Sequence, residues 1–216
     1  MFQYEATSVR THDLLETDAT QFLSIQASVP AWAERELRRT PFLVVRRGCA
    51  GHAIPVGIRG PERNQRWATF CEPKVVKSIL SPPQLLRRTV PAFRLEAIPA
   101  FSSLQLLEER WTGFDCSWGP GGSVGFELAT GSHVAKPKSD LDIVIYADRR
   151  ITADEAKSLC GLASDLPAAV DIRVETSTCG FSLREYASHN PAPILLRMPC
   201  GVTLGVDPWS ETGAFL

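Results

Sequence analysis

The sequence predicts a mixed α/β (α+β) fold, and three segments of its second half carry that reading. Leu141 to Tyr146 is a β-branched run, the signature of a buried strand. Val170 to Glu175 alternates apolar and charged residues with period two, as a strand with one buried face does. Between them, Thr152-Ala153-Asp154-Glu155 has the form of a capping box and opens a helix to about Leu162. Strand, helix and strand in that order imply a sheet covered by helices.

The remaining elements follow in chain order. Pro41 to Val45 reads as a buried strand and Ile54 to Ile58 as a second, which Pro55 would confine to a sheet edge. Trp32 to Arg39 is a short helix. Ser102-Ser103-Leu104-Gln105 has the form of a capping box before a helix to about Trp111, with Leu104, Leu107 and Trp111 on one face. A helix is expected after Gly122-Ser123, and Ile194 to Leu196 is a further strand. Dense prolines and a change of charge between residues 91 and 100 suggest a boundary. The expected organisation is a small mixed N-terminal domain over residues 1–95. A mixed sheet with flanking helices is expected over residues 96–216.

Composition narrows the function classes. An apolar content of 44% with 22% charged residues is globular, and no apolar run approaches the roughly 18 residues of a membrane span. The N-terminus lacks a basic start followed by an apolar stretch, so a cytoplasmic location is expected. The six cysteines are scattered without a C-x-x-C pair, and are expected to be buried or free thiols. The net charge of −1 hides an asymmetry, with +9 over residues 31–94 and −7 over residues 95–216. Arginine dominates the basic block, including Arg35, Arg38, Arg39, Arg46, Arg47, Arg59, Arg63 and Arg66. Guanidinium forks suit phosphate and carboxylate, so an anionic partner and a solvated face are both open readings. The arginines are not interleaved with aromatic residues, which argues against nucleic acid.

Chemistry concentrates in two stretches. Gly121-Gly122-Ser123 precedes the predicted helix, where free backbone N–H groups can donate to phosphate oxygens and glycine leaves room for them. Ser139-Asp140-Leu141-Asp142 enters the strand, and carboxylates at i and i+2 project to one face about 7 Å apart at the backbone. That spacing suits divalent ions in a two-metal site, and oxygen-only ligands favour Mg²⁺ or Mn²⁺. Each motif alone is weak; in this order they point to phosphoryl or nucleotidyl transfer. His133 is close enough in sequence to serve as a base, although loop histidines seldom do so. His12 beside Asp13 reads as a structural hydrogen-bonding residue. His52 and His189 have no discernible partner, and no Ser-His-Asp or Cys-His order stands out.

The two stretches resemble the nucleotidyltransferase superfamily motif: a Gly-Ser turn, an Asp-x-Asp strand and a third carboxylate on a later strand. The resemblance implies that third ligand. Asp171, in Val170-Asp171-Ile172, has the matching apolar–acid–apolar setting, and Glu175 on the same strand face as Asp171 and Arg173 is its rival.

The whole chain resembles more closely the phosphoribosyl-dephospho-CoA transferases that mature the acyl carrier protein of malonate decarboxylase. The matching pieces are His12-Asp13-Leu14-Leu15, Pro30-Ala31-Trp32, Phe42 to Arg47, and Val56-Gly57-Ile58-Arg59-Gly60 followed by Arg66. In the second half they are Gly122-Ser123, Ser139 to Asp142, Val170-Asp171, Leu183-Arg184-Glu185-Tyr186 and Asp207-Pro208-Trp209. That resemblance implies attack by a serine of the apo carrier protein on 2′-(5″-triphosphoribosyl)-3′-dephospho-CoA, with diphosphate leaving. It implies Mg²⁺ (or Mn²⁺) on Asp140, Asp142 and Asp171. Gly122, Ser123 and Ser139 would hold the triphosphate, with Lys136, Lys138 and Arg184 as candidates for its charge. A nucleotidyltransferase with another acceptor, such as an antibiotic or a regulatory protein, and a non-catalytic binding module of the same fold are the alternatives.

Overall fold

The computed structural model describes residues 9–49, 51–62, 64–188 and 192–210. Arg63 and His189 lie outside the described residues. The chain divides into two compact units. One comprises the chain up to Ser81 together with Ala129–Ser132, and the other Pro82–Leu128 and the chain from His133 onward.

The first unit is an antiparallel sheet of five strands in the order β4-β3-β2-β1-β5. The strands are β1 (Leu14–Thr17), β2 (Phe42–Val45), β3 (Ile54–Arg59), β4 (Arg66–Cys71) and β5 (Val76–Leu80). Helices α1 (Ala19–Ser24) and α2 (Ala31–Arg39) accompany them, and Phe22, Ala33 and Leu37 join Leu15, Leu43 and Val56 in one core. The expected strand at 41–45 and helix at 32–39 are present.

Contrary to expectation, β3 is an inner strand. Pro55 is tolerated there because the Val44–Gly57 and Val45–Val56 pairs are where β2 and β3 are last in register. Beyond them the Pro55 carbonyl still accepts from Arg46 N at 2.8 Å, so the missing N–H costs a bond only at the ladder's end.

Several matched segments of this unit prove to be packing devices. The stem of Arg46 lies over Gly57, where a Cβ would meet Arg46 Cδ at 2.7 Å. At Gly60 a Cβ would meet the Trp32 ring at 2.8 Å, so Pro30-Ala31-Trp32 and the Gly60 turn need each other. His12 sits at φ 77° and Asp13 is buried. The Asp13 carboxylate accepts from Arg10 N at 2.8 Å. His12-Asp13 is thus a turn that starts β1.

The second unit is a mixed sheet of six strands in the order β11-β10-β9-β8-β7-β6. They are β6 (Ser117–Pro120), β7 (Leu141–Tyr146), β8 (Val170–Glu175), β9 (Gly180–Ser182), β10 (Ile194–Met198) and β11 (Gly201–Gly205). Its helices are α3 (Pro82–Leu85), α4 (Ala92–Ala97), α5 (Pro99–Arg110), α6 (Gly122–Thr130), α7 (Ala153–Leu162) and α8 (Leu183–Ser188). Strands β7 and β8 run parallel, joined by α7, and the Thr152–Glu155 capping box forms in full. The sheet-and-helix reading of the sequence holds: the fold is α+β.

One face of this sheet is core. Leu141, Ile143, Ile145, Ile172 and Val174 pack with Leu104, Leu107 and Trp111 of the α5 stretch and Ala156 and Leu159 of α7. Helix α5 starts before the expected capping box, with Pro99 in its first turn. Ser102 and Ser103 are spent elsewhere: Ser102 Oγ donates to Leu95 O at 3.1 Å, and Ser103 Oγ accepts from Ala168 N at 2.8 Å. Proline at the start needs no N–H, which is why the helix nucleates there.

The cysteine expectation holds for four residues. Cys71, Cys116, Cys160 and Cys179 are free thiols. Burial pushes the Cys71 thiol up to about 12. Cys49 and Cys200, both exposed, are not among the free thiols. Among the described residues, no helix is long and apolar enough to cross a membrane.

Candidate active site

The site grows from the parallel β7–β8 pair. Asp142 and Asp171 stand side by side in register, on the face opposite the core. Asp140 is exposed just before β7. The turn that delivers it is closed by two bonds: Ser139 N donates to Lys136 O at 2.8 Å, and Lys136 N to Ser139 Oγ at 3.0 Å. Ser139 therefore shapes the turn, while the Lys136 and Lys138 side chains are exposed beside it.

Helix α6 begins against the same carboxylate. Gly121 N donates to Asp142 O at 2.8 Å, and Gly122 takes φ 54°. A Cβ on Gly122 would lie 1.8 Å from Asp142 Oδ2. Glycine is thus required twice at this position, for its backbone angle and for the room it gives Asp142. Gly122, Ser123, Asp142 and Asp171 are brought together; Arg184 is not. Its guanidinium donates to Val170 O at 3.4 Å and lines a small cavity with Cys160, Ala163, Val170 and Ile172, on the core side of β8.

Asp171 is paired with Arg173 two residues along the strand, at 2.9 Å. Two like charges on neighbouring strands repel, and Arg173 offsets that repulsion. Arg197 of β10 extends the same face. Burial, and then the neighbouring Arg173 guanidinium, lowers its pKa from the ordinary value, with Asp171 and Glu185 opposing. Glu175 lies level with Tyr146 and not with either Asp. Among the described residues, no three His, Cys, Asp or Glu side chains are gathered closely enough to hold a metal ion.

A buried ion pair holds the loop that leads to Asp140. Arg94 of α4 donates to both oxygens of Glu127 on α6, at 2.6 and 2.9 Å, and to Ala135 O at 2.8 Å. Glu127 Oε2 also accepts from Val134 N and Ala135 N, each at 3.0 Å. One carboxylate thereby fixes α4, α6 and residues 134–135. Sequence reasoning missed this pair, although a lone acid among Val124, Phe126 and Leu128 is a usable signal for a buried charge. It also missed Arg197, whose place opposite the buried Ile194 and Leu196 follows from strand alternation.

The closing segments are structural. Tyr186 and Trp209 pack edge-on to Phe181 and to each other, with centroids 5.4 to 5.5 Å apart. Tyr186 OH donates to Ile151 O at 3.0 Å, and Arg150 pairs with Asp207 at 2.6 Å. His133 meets Phe93 edge-on.

Two family models match the chain. Residues 10–82 match the N-terminal domain, and residues 86–208 the C-terminal domain, of phosphoribosyl-dephospho-CoA transferase MdcG. The chain belongs to the phosphoribosyl-dephospho-CoA transferase family. Curated relatives carry that enzyme name. One from Pseudomonas aeruginosa is 35% identical over 197 residues, covering 87% of this chain and 92% of its own. Another from Azotobacter vinelandii is 33% identical, covering 94% and 95%. A third from Klebsiella pneumoniae is 29% identical, covering 94% and 98%. No solved structure matches. Membership makes the chain a transferase, and the matched span includes both the carboxylate strands and the α6 turn.

Proposed function

We propose that this transferase moves the 2′-(5″-phosphoribosyl)-3′-dephospho-CoA group from its triphosphate donor to a serine of an apo acyl carrier protein, that of malonate decarboxylase, releasing diphosphate. The observation that carries the reading is the in-register Asp142–Asp171 pair with the start of α6 set against it. Two neighbouring carboxylates of oxygen-only character fit Mg²⁺ or Mn²⁺, which commonly take one or two protein carboxylates and complete their shell with substrate phosphates and water. Asp142 and Asp171 would hold the ion, and Asp140 at the strand's start would join them only by a turn of its side chain toward the pair. When bound it supplies charge neutralisation at the phosphates and lowers the pKa of an attacking hydroxyl.

The chain's own residues do the rest. The first N–H groups of α6, at Gly122 and Ser123, have no partner within the helix and suit phosphate oxygens. The Lys136–Ser139 turn presents two exposed ammonium groups beside Asp140, where negative charge accumulates on the leaving group. The buried Arg94–Glu127 pair holds that turn, so the acid and the ammonium groups meet the donor already positioned.

The test is direct. The protein, Mg²⁺ and the triphosphoribosyl donor are incubated with the apo carrier protein of malonate decarboxylase, and intact mass is read. A mass gain equal to the phosphoribosyl-dephospho-CoA group, lost when the acceptor serine is changed to alanine, is expected. No gain on that carrier under any metal condition would overturn the acceptor assignment.

A further inference from the structure

Arg197 is the unexplained group on the carboxylate face. Strand register brings it there: Asp171, Arg173 and Glu175 alternate along β8, Glu175 pairs with Gly180, and Gly180 pairs with Arg197. Arg197 pairs in turn with Val202 of β11. Its electrostatic neighbours are Arg173, Asp171 and Glu185. The Asp171 carboxylate is already engaged by Arg173 at 2.9 Å, and Glu185 Oε1 accepts from Leu195 N at 3.0 Å. Among the described residues, the Arg197 side chain makes no hydrogen bond or ion pair.

A partly desolvated guanidinium beside a second one, with no side-chain hydrogen bond or ion pair of its own among the described residues, is open to an anion. Arginine forks match phosphate oxygens two at a time, and each such bond is strengthened where water is partly excluded. The two exposed side chains of β11 on this face are apolar, Val202 at 67% and Leu204 at 55% exposure. A ligand lying here therefore meets cations at one end and an apolar strip at the other.

Resting on the transferase reading above, we propose that Arg197, with Arg173, forms a subsite for a diphosphate group of the donor. The donor has two such groups: the one that leaves, and the one that bridges adenosine to the pantetheine arm. The Val202–Leu204 strip favours the bridging diphosphate, because the pantetheine arm attached to it needs an apolar bed. Arg197 is a positioning residue; it does not touch the reacting phosphorus.

Calorimetric titration of inorganic diphosphate and of dephospho-CoA tests the subsite without turnover. Wild-type protein, Arg197→Ala and Arg197→Lys are compared, with urea midpoints as a check on folding. Arg197→Ala should weaken at least one ligand tenfold or more. Arg197→Lys should recover part of the loss, since it restores the charge and not the fork. Weakening of dephospho-CoA alone assigns the bridging diphosphate; weakening of inorganic diphosphate assigns the leaving group. Should Arg197→Ala not fold, Arg197→Gln is titrated in its place. Binding of both ligands within twofold of wild type by the variant, or of neither by wild type, overturns the subsite. Wild-type binding through Arg197 with no modification of any carrier would leave the subsite standing and sink the transfer reading.

Discussion

Gly122 and Asp142 share one space: a Cβ on the glycine would lie 1.8 Å from the Asp142 carboxylate oxygen. The Gly-Ser turn and the Asp-x-Asp strand are therefore one interlocked feature rather than two motifs that happen to coexist. Gly122→Ala should displace the carboxylate and strain a backbone held at φ 54°. Side-chain misplacement of about 1 Å at a reacting centre costs roughly a hundredfold in rate, and that loss is expected in the carrier-modification assay. The backbone strain adds about 1–2 kcal/mol of destabilisation, read as a lower urea midpoint. Near wild-type turnover by the alanine variant would show that Asp142 does not need its present position.

The carboxylates themselves separate by register. Asp140→Asn and Asp142→Asn should abolish transfer with the fold intact, because an amide keeps the shape and loses the charge that holds a hard cation. A metal's contribution is several kcal/mol, and each tenfold in rate is about 1.4 kcal/mol. Asp171→Asn should be far more damaging than Glu175→Gln. Asp171 is level with Asp142, whereas Glu175 is level with Tyr146, about 13 Å further along the strand. A larger loss from the Glu175 change would move the third ligand to that position.

The strands that carry the site were the legible ones. β7, β8 and the α7 capping box announce themselves through β-branched runs, period-two alternation and a Thr-x-x-Glu spacing, all local properties. β6, by contrast, reads Ser-Trp-Gly-Pro, a turn-like string, and is a strand only because it pairs with β7 from Ser117–Tyr146 to Pro120–Ile143. β9 has three residues and is set by its neighbours in the same way. Pro55 misleads for a related reason, since a proline excludes one hydrogen bond and not a whole strand position. The Arg94–Glu127 pair joins residues 33 apart, a contact that no local pattern encodes.

That pair supports the approach to Asp140, and its removal should be expensive. Glu127→Ala leaves a guanidinium whose side chain is only 11% exposed without its counter-charge. Breaking a buried pair from one side costs about 3–5 kcal/mol, whereas replacing both partners with apolar residues of similar volume is often neutral. Glu127→Ala should lower the thermal midpoint sharply, and Arg94→Met with Glu127→Leu should recover most of it. Equal losses in the single and double variants would mean that the shape of the site, not its charge, is what matters.

Acid should loosen the C-terminal segment through Asp207. The Arg150 guanidinium beside Asp207 holds its carboxyl below the usual carboxylate range, despite some opposing burial. A depressed folded pKa adds stability above the unfolded value of about 3.9, and that stability is lost as pH falls through the folded value. Asp207→Asn should therefore be less stable than wild type at neutral pH, with the gap closing below about pH 4. Urea midpoints across that range read it; a gap that stays constant with pH would remove Asp207 from the acid response.

The basic block of the N-terminal unit has its own anomaly. Arg59 and Arg66 face each other directly across β3 and β4, both exposed, and like charges at such a site are destabilising. Arg38 is partly satisfied by Glu34 at 2.8 Å, but among the described residues neither Arg59 nor Arg66 makes an ion pair. An acidic partner would convert their repulsion into attraction. Under the proposed function that partner is the apo carrier protein, so charge reversal at Arg59 and Arg66, alone or with Arg35 and Arg39, should raise the carrier KM. The donor KM should stay nearly unchanged. Salt should weaken the wild-type carrier interaction and matter less for the variant, because the screening length falls from roughly 10 Å at 0.1 M to roughly 3 Å at 1 M. The unpartnered state also predicts that Arg66→Glu stabilises the free protein, by roughly 0.2–1 kcal/mol, the usual range for a cross-strand pair. A rise in the donor KM instead would assign these arginines to the donor's phosphates. No change in either constant would leave them as a solvated face whose repulsion water alone screens.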